Sequence, residues 1–591
     1  MVARTLITTA DERTWPKDKS EPVLFLGEWC LRYSRKQSWE KLDYKVAPFH
    51  WDDRAKLFKD YQWIQEIYET MLLELSDKLN QVHSVQYSHR YWRILIGPWL
   101  GYFIQILFDR WYMLVETINN NDITSCCVIK RDSISIVPND MKHFTQLMVE
   151  DDWNEAVYGQ LLSCHIKKSC NIDSVQIQTN IKCNGSADKK QKNKRETKES
   201  IINLFNRFFP IKQDGYFYIA SCLPVIKCFK LQIRLGQFPK LWREKSVPVV
   251  SPNKSERQWC LGVDSVEINS FEYIVRKLIS QHIPTAYLEG YKNLLSTLDS
   301  LLWPRHPKLI FTSNSYSGND VFKAWAASKC DSGALLVIGQ HGGHFGMTPF
   351  AFHEEHQIEI ADKWLSWGWL DAKRPQIKAI GNFKISKRNA SYNSKGGALM
   401  VVMATPRYSY HLYAAPISKQ NIDYLNDQFS FVDHLPELIR VDLVVRLYHR
   451  DYGWDLKERW RAEYPNINID NGVDNLNRLI ANCRIYITTY NATTYLESFA
   501  MNVPTIMFWN PNHWELLDSV KPYFSALENA GVFHKTPESA AKHLAKIWDN
   551  VDSWWKSEPV VQAVGGFCNK FNKIDGNTVD AIYQECSSIC S

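Results

Sequence analysis

The chain has 591 residues, a formal net charge of +6, 23 tryptophans and 14 cysteines. That length exceeds what one hydrophobic core serves, so two or three domains are expected. The modest charge argues against a dedicated nucleic-acid binder and suits an anionic substrate or an anionic membrane surface. The cysteines show no paired Cys-x-x-Cys spacing and match no zinc ligand set; with no secretory signal at the N-terminus they read as reduced thiols of a cytoplasmic protein.

Thr5 to Thr9 is a strand candidate, followed by a charged loop, Asp11 to Lys19. Val23 to Leu26 is a second strand, ending in Gly27-Glu28-Trp29-Cys30. In open α/β sheets ligands gather outside the carboxyl ends of strands. Glu28 there is a candidate general base or sugar-hydroxyl acceptor, with Trp29 beside it; a surface glutamate at a helix start is the other reading. Arg54 to Val82 has apolar residues at three-and-four spacing and predicts a long packing helix. Tyr87 to Ile118 predicts a second helical region, broken by Gly97-Pro98. Its apolar part, Ile94 to Phe108, is shorter than the roughly 20 residues a membrane span needs, so it reads as buried. The cluster His89, Arg90, Trp92 and Arg93 suits either an anionic ligand or a solvated turn. Residues 121 to 180 read as mixed α/β. Cys183 to Ser200 is Lys-rich, lacks large apolar residues and reads as a mobile loop or linker rather than a nucleic-acid arm. Ile201 to Phe209 and Leu223 to Trp242 look helical.

From Pro307 the pattern is alternating strand and helix. Lys308 to Thr312 is a strand, Asp320 to Ser328 a helix, and Ala334 to Ile338 a buried strand. That strand runs into Gly339-Gln340-His341-Gly342-Gly343-His344. Glycines let a backbone approach a ligand closely, and imidazole exchanges protons near neutral pH. His341 and His344, with Gln340 and Gly342, are therefore candidates for catalysis or substrate binding, against a structural turn. Leu365 to Trp369 and Ile377 to Ile380 are further strands. Polar residues 386–397 are expected to form an interdomain hinge. Ala398 to Met403 opens a second α/β domain, and the turn holding Thr405 follows its first strand, where a Rossmann-type domain meets its nucleotide. Ile417 to Arg440 is helical. Leu443 to Leu447 is a strand whose end presents Arg446, His449 and Arg450, groups suited to a diphosphate. Leu456 to Tyr464 and Asn475 to Ala481 are helices flanking a strand at Ile467 to Asp470.

Ile485 to Thr489 is a strand, Tyr490 to Thr494 a polar turn, and Leu496, Phe499 and Ala500 mark a helix that Pro504 ends before the strand Ile506 to Trp509. Asn491, Thr493 and Thr494 open that helix. They are either N-caps or the rim of an anion site made by free N–H groups. His513 to Asp518, Pro522 to Ala530 and Pro537 to Trp548 are further helices, and residues 556–591 are expected to pack back on the first domain.

The chain resembles the transferase family of O-antigen and surface-polysaccharide gene clusters. The residues that carry the likeness are Phe25-Leu26-Gly27-Glu28-Trp29-Cys30, Tyr91 to Leu100, Gly339-Gln340-His341-Gly342-Gly343 and Tyr490 to Glu497. A looser likeness links the C-terminal two-thirds to the glycerophosphotransferases of teichoic-acid synthesis, in which a strand-end His-Gly pair supplies the base. There a basic-Leu-His-Pro motif follows a later strand; here the chain departs from it with Arg446-Leu447-Tyr448-His449-Arg450. The resemblance implies an α/β protein of the GT-B type, with two Rossmann-like domains facing a cleft and a helix-rich N-terminal elaboration. Residues 1–385 would bind the acceptor and 398–555 the donor.

By that likeness the protein is expected to be a glycosyltransferase moving a sugar from a nucleotide-activated donor to a glycan or lipid-linked glycan acceptor. His341 or Glu28 would be the base. Arg446, His449, Arg450, Asn491, Thr493, Thr494, Glu497 and Thr405 would hold the donor, and Gln340, Gly342, His344, Trp29 and Arg93 the substrate. No Asp-x-Asp motif occurs, and no cofactor or metal is expected. The alternatives are polyol-phosphate transfer from a CDP-glycerol-type donor and a non-catalytic sugar-binding component of a polysaccharide assembly complex. Membrane contact, if any, would be peripheral.

Overall fold

A computed structural model describes residues 2–165, 171–176, 211–262, 266–384, 392–574 and 577–590. The Lys-rich run 183–200, the helix expected at 201–209 and residues 386–391 of the expected hinge lie outside the described residues.

Among the described residues sixteen strands form three parallel sheets. The first contains β1 (Arg4–Ile7), β2 (Val23–Phe25), β3 (Tyr44–Val46), β4 (Ile123–Lys130) and β5 (Asn171–Gln176), in the order β3-β2-β1-β4-β5. The second contains β6 (Tyr216–Tyr218), β7 (Leu309–Thr312), β8 (Leu335–Gly339), β9 (Lys363–Ser366) and β10 (Ile377–Ala379), in the order β10-β9-β8-β7-β6. The third contains β11 (Ala398–Val401), β12 (Leu443–Arg446), β13 (Asn468–Asp470), β14 (Ile485–Thr488), β15 (Thr505–Phe508) and β16 (Phe533–His534), in the order β13-β12-β11-β14-β15-β16. The central strands are buried along their length, as parallel sheets covered on both faces require; β7, β11, β14 and β15 are buried at every position.

The second and third sheets meet across a cleft, the arrangement expected of a GT-B protein. The elaboration ahead of them is larger than expected. Residues 1–385 carry two sheets rather than one with helical insertions, because β4 finds its partner in β5, more than 40 residues on, a pairing that local pattern does not reveal. The helix Glu558–Phe571 stays on the third-sheet side, where Phe567 meets Tyr495, Phe499 and Phe524; of the return expected for residues 556–591, only the chain after that helix, with the helix Thr578–Cys590, reaches the second sheet. There Lys573 N donates to Trp367 O (2.9 Å), Asn382 N donates to Lys573 O (2.7 Å), and Lys363 Nζ reaches Glu585 (2.7 Å).

Three local expectations change. The helix expected over Leu223 to Trp242 spans only Val225–Arg234. The helix His89–Asn120 runs unbroken through Pro98. It is buried on nearly every side, so packing outweighs the one N–H the proline lacks. Its glycines admit the neighbouring helix Phe352–Ile360: a Cβ on Gly101 would lie 1.9 Å from the Phe352 ring, and one on Gly97 2.7 Å from His356. The segment His513 to Asp518 is a series of turns, not a helix. Its groups are used elsewhere: Glu515 pairs with Arg54 (2.6 Å) and Leu517 N donates to Met347 O (2.9 Å).

The loop after β11 fastens the third sheet to the other two. Leu412 N donates to Gln105 Oε1 (2.6 Å), Phe352 N to Leu412 O (3.1 Å), and Ala351 forms an antiparallel bridge with Tyr413. Arg407 donates to Trp29 O and to Asp151 (2.9 Å). Arg110, wholly buried, donates to Asp109, Asn154 and Ser409.

Candidate active site

The two glycine- and threonine-rich turns that stand far apart in sequence meet in space. Gly343, in the loop after β8, touches the turn after β14: a Cβ on it would lie 2.4 Å from Ala492 O and 2.8 Å from Thr493 Cα. Both loops leave the carboxyl ends of their strands, where α/β sheets collect ligands. Because the obstructing atoms are backbone, Gly343→Ala is expected to destabilise the protein by about 1–3 kcal/mol, the usual cost of overpacking, measured as a shift in the denaturant midpoint.

The helix Thr493–Ala500 begins at Ala492 with no side-chain cap. Thr493 and Thr494 therefore do not act as caps; Thr494 Oγ1 donates to Tyr490 Oη (2.9 Å) and both threonines stay partly exposed. First-turn N–H groups left uncapped attract anions. One turn on, Glu497 lies 3.5 Å from Lys384 Nζ, which comes from the segment after β10. Lys384 is also close enough to His341 to disfavour its protonation.

His341 sits among three further imidazoles. Its ring centroid is 5.8 Å from that of His353, which is 5.8 Å from His411. His344 stands one turn of the loop away, 5.5 Å from Tyr413. Tyr102 Oη is 3.1 Å from His353 Nδ1 and its ring stacks on His411. All four histidines keep part of their surface accessible. Burial holds His341 well below the usual imidazole value, helped by His353, His344 and Lys384, while the Ser313 backbone pulls the other way. Burial likewise brings His344 to about 3 and His353 to about 4, and holds His411 far below its ordinary value. At neutral pH these rings are uncharged. Nδ1 of His341 is buried without a hydrogen-bond partner, which leaves a neutral imidazole nitrogen able to accept a proton.

A group whose folded pKa lies below its unfolded one stabilises the fold above the unfolded value and loses that contribution as pH falls. For His353 the window runs from about 6.5 to about 4. Neighbouring Glu354, raised by burial to about 8, acts oppositely and loses its contribution as pH rises from 4.5 to about 8. His353→Gln is therefore expected to flatten the fall in the urea midpoint between pH 6.5 and 4 relative to the parent protein. An unchanged slope would count against a neutral His353.

Other candidates are placed differently. Gln340 is wholly buried and ties its own loop to the one after β9. Its Nε2 donates to Gly342 O (2.7 Å), and its Oε1 accepts from Trp367 N (2.8 Å) and Trp369 Nε1 (3.0 Å). It shapes the turn and does not face a substrate; Gly342 beside it is partly exposed. Trp29 is buried, donates to Thr8 O (3.0 Å) and packs on Tyr408 and Phe49, so it offers no stacking platform. Arg93 pairs with Glu69 (2.7 Å) between two helices. Thr405 is buried and bonds Asn421 (3.2 Å). Asn491 is buried, its Oδ1 accepting from Tyr495 Oη (3.0 Å), with Nδ2 unpartnered. Arg446 is paired with Asp470, which cancels much of the charge a phosphate would need. Arg450 lies over the Tyr452 ring (4.7 Å) and 3.8 Å from Glu150. His449 is exposed on the turn after β12.

Glu28 lies in a second polar pocket, at the end of β2. Burial raises its pKa; Lys419 and Arg459 pull it down, and Asp423 and Asp52 push it up. It shares none of these neighbours with His341, so the structure separates the two candidate bases. His353, His411, Lys384 and Tyr413 have no local sequence signal. Each becomes recognisable only when the loops after β8, β10 and β11 and the start of the helix Phe352–Ile360 converge.

A cleft between the carboxyl edges of parallel sheets, where the loop that carries His341 meets an uncapped helix N-terminus, defines a group-transfer type of site. The chain belongs to the LIC12162 family transferases, whose family model matches residues 4–585. Among solved structures it is similar to MurG of Acinetobacter baumannii, at 10% identity over 64% of this chain and 99% of that one, with a TM-score of 0.32. It is also similar to the spinosyn rhamnosyltransferase SpnG complexed with thymidine diphosphate (13% identity, 63% and 100%, TM-score 0.29). A third similarity is to WaaG, a glycosyltransferase involved in lipopolysaccharide biosynthesis (11%, 63% and 99%, TM-score 0.28). At such scores these likenesses carry no weight for the reaction. Among curated proteins none matches the chain.

Proposed function

We propose that this transferase moves a sugar from a nucleotide-activated donor to a hydroxyl of a surface-polysaccharide acceptor. The observation that carries the reading is the uncapped N-terminus of Thr493–Ala500 set against the His341 loop. The acceptor hydroxyl gives its proton to the His341 imidazole. Its oxygen bonds to the donor's anomeric carbon as the bond from that carbon to the phosphate oxygen breaks. The departing nucleoside diphosphate takes its charge onto the first-turn N–H groups at Thr493 and Thr494 and onto Lys384, fixed dipoles and charges of the kind that stabilise a leaving anion. In this reading Glu497, partly exposed one turn into the helix, accepts from the ribose.

Among the described residues no group of three or more His, Cys, Asp or Glu is arranged to hold a metal ion. The proposed transfer gives the leaving-group role to Lys384 and the helix. Among the described residues no helix is long and apolar enough to cross a membrane; in this reading any membrane contact is peripheral.

A thermal-shift panel of CMP, CDP, UDP, GDP and dTDP tests the donor site. A nucleotide that binds the folded state alone stabilises it by about 2.7 kcal/mol at a hundredfold excess over Kd. One nucleotide is expected to raise Tm, and Lys384→Ala to reduce that rise. No shift with any of them would sink the reading. A shift confined to CMP and CDP, with CMP released from CDP-glycerol, would favour polyol-phosphate transfer instead.

A further inference from the structure

The helix Val225–Arg234 follows β6 and reads Val-Ile-Lys-Cys-Phe-Lys-Leu-Gln-Ile-Arg, without an acidic residue. Its inner face buries Cys228, Leu231 and Gln232. Outward stand Val225, Ile226 and Ile233, which are 53%, 71% and 63% exposed. Ile226, Lys230 and Ile233 fall on one helical face. Leaving such side chains in water on one short helix is unfavourable unless something covers them.

The charge around the patch says what that is. Lys227 and Lys230 flank the apolar side chains. Arg234 is tied to Asp580 of the terminal helix and lies over the Tyr583 ring (4.4 Å), so the terminal helix occupies that flank and, among the described residues, leaves the Ile226–Lys230–Ile233 face open. Aliphatic side chains with lysines among them match the boundary of an anionic bilayer, where acyl chains meet phosphates.

Position adds a second argument. The helix begins three residues after Cys222, whose Sγ lies 3.8 Å from Asn314 Nδ2. Lys384 stands near both Cys222 and His341. Lys384 thus links the start of this helix, through Cys222, to the surroundings of His341.

We propose that the Val225–Arg234 helix seats the protein on an anionic membrane surface, Ile226 and Ile233 entering the acyl boundary and Lys227 and Lys230 meeting lipid phosphates. The cleft beside Lys384 then opens toward the bilayer. That it receives a lipid-linked acceptor there rests on the transferase reading; the membrane contact itself does not.

The test is co-sedimentation of the full chain with phosphatidylcholine vesicles, with and without phosphatidylglycerol. Binding is expected to need phosphatidylglycerol and to weaken as salt shortens the screening length. The Ile226→Asp/Ile233→Asp variant is expected to lower partitioning by more than about tenfold. Leu438→Asp, an equally exposed site on the third-sheet domain, is expected to bind like the parent. Melting curves should coincide, because all three side chains face solvent. Failure of the parent to sediment with either vesicle overturns the proposal and leaves the face to a protein partner. Parent-like binding by the double variant overturns it as well. A normal nucleotide shift without vesicle binding would remove the membrane surface and leave the transferase reading standing; vesicle binding without a nucleotide shift would do the reverse.

Discussion

His341→Ala is expected to lower nucleotide release by about 10²–10⁴-fold, the range for losing a positioned general base. The loss should fall on kcat, with the nucleotide-induced Tm shift retained, since the proposed phosphate contacts lie on the helix Thr493–Ala500 and Lys384. The parent's kcat/KM is expected to stay level down through pH 6.5, because burial and the neighbouring imidazoles hold the His341 ring neutral well below that value. Glu28→Gln is the comparison. Glu28 sits among Lys419, Arg459, Asp423 and Asp52, in a different pocket, and its loss should leave release near the parent rate. A parent-like rate in His341→Ala would remove that residue from the chemistry. A large loss in Glu28→Gln alone would move the base to the pocket at the end of β2.

Arg110→Ala is expected to destabilise the protein by about 3–5 kcal/mol, the cost of stranding a buried charge. The guanidinium touches Asp109, Asn154 and Ser409, while Asp109 also meets His50 (3.0 Å). Burial alone would push the Asp109 carboxyl up; Arg110, His50 and Ser409 outweigh it and hold the carboxyl below its ordinary value. Without Arg110 the carboxylate stays buried beside one histidine. Removing both charges, as in Asp109→Leu/Arg110→Met, should recover part of the loss, because no unpaired ion remains. Denaturant titration of the three proteins reads the difference. Ser409 belongs to the loop after β11, so Arg110→Ala should also loosen the third sheet from the first. Faster proteolysis within the loop holding Ser409 and Leu412 would register that.

Strands and their order along the chain were legible wherever apolar runs ended in glycine or a polar turn. Leu309–Thr312, Leu335–Gly339 and Ile485–Thr488 fall within a residue or so of the pattern, because a strand buried on both faces must be largely apolar. The helix break expected at Gly97-Pro98 failed for an equally physical reason. The glycines there serve the close approach of Phe352 and His356, a contact more than 250 residues away that no local rule anticipates.

The sequence by itself determined the chemistry on offer: a histidine in a glycine-rich strand-end turn, and a helix opening on small polar residues. Residue type and local backbone freedom suffice for that. Only the tertiary structure decided which of these groups remain available. Gln340, Trp29, Arg93, Thr405 and Arg446 have the right chemistry, yet each spends its polar atoms on a neighbour brought in by folding. His353, His411 and Lys384 carry no signal in their own segments, yet converge on His341. Burial and hydrogen-bond satisfaction depend on three-dimensional neighbours, and those neighbours come from three sheets that meet only when the chain has folded.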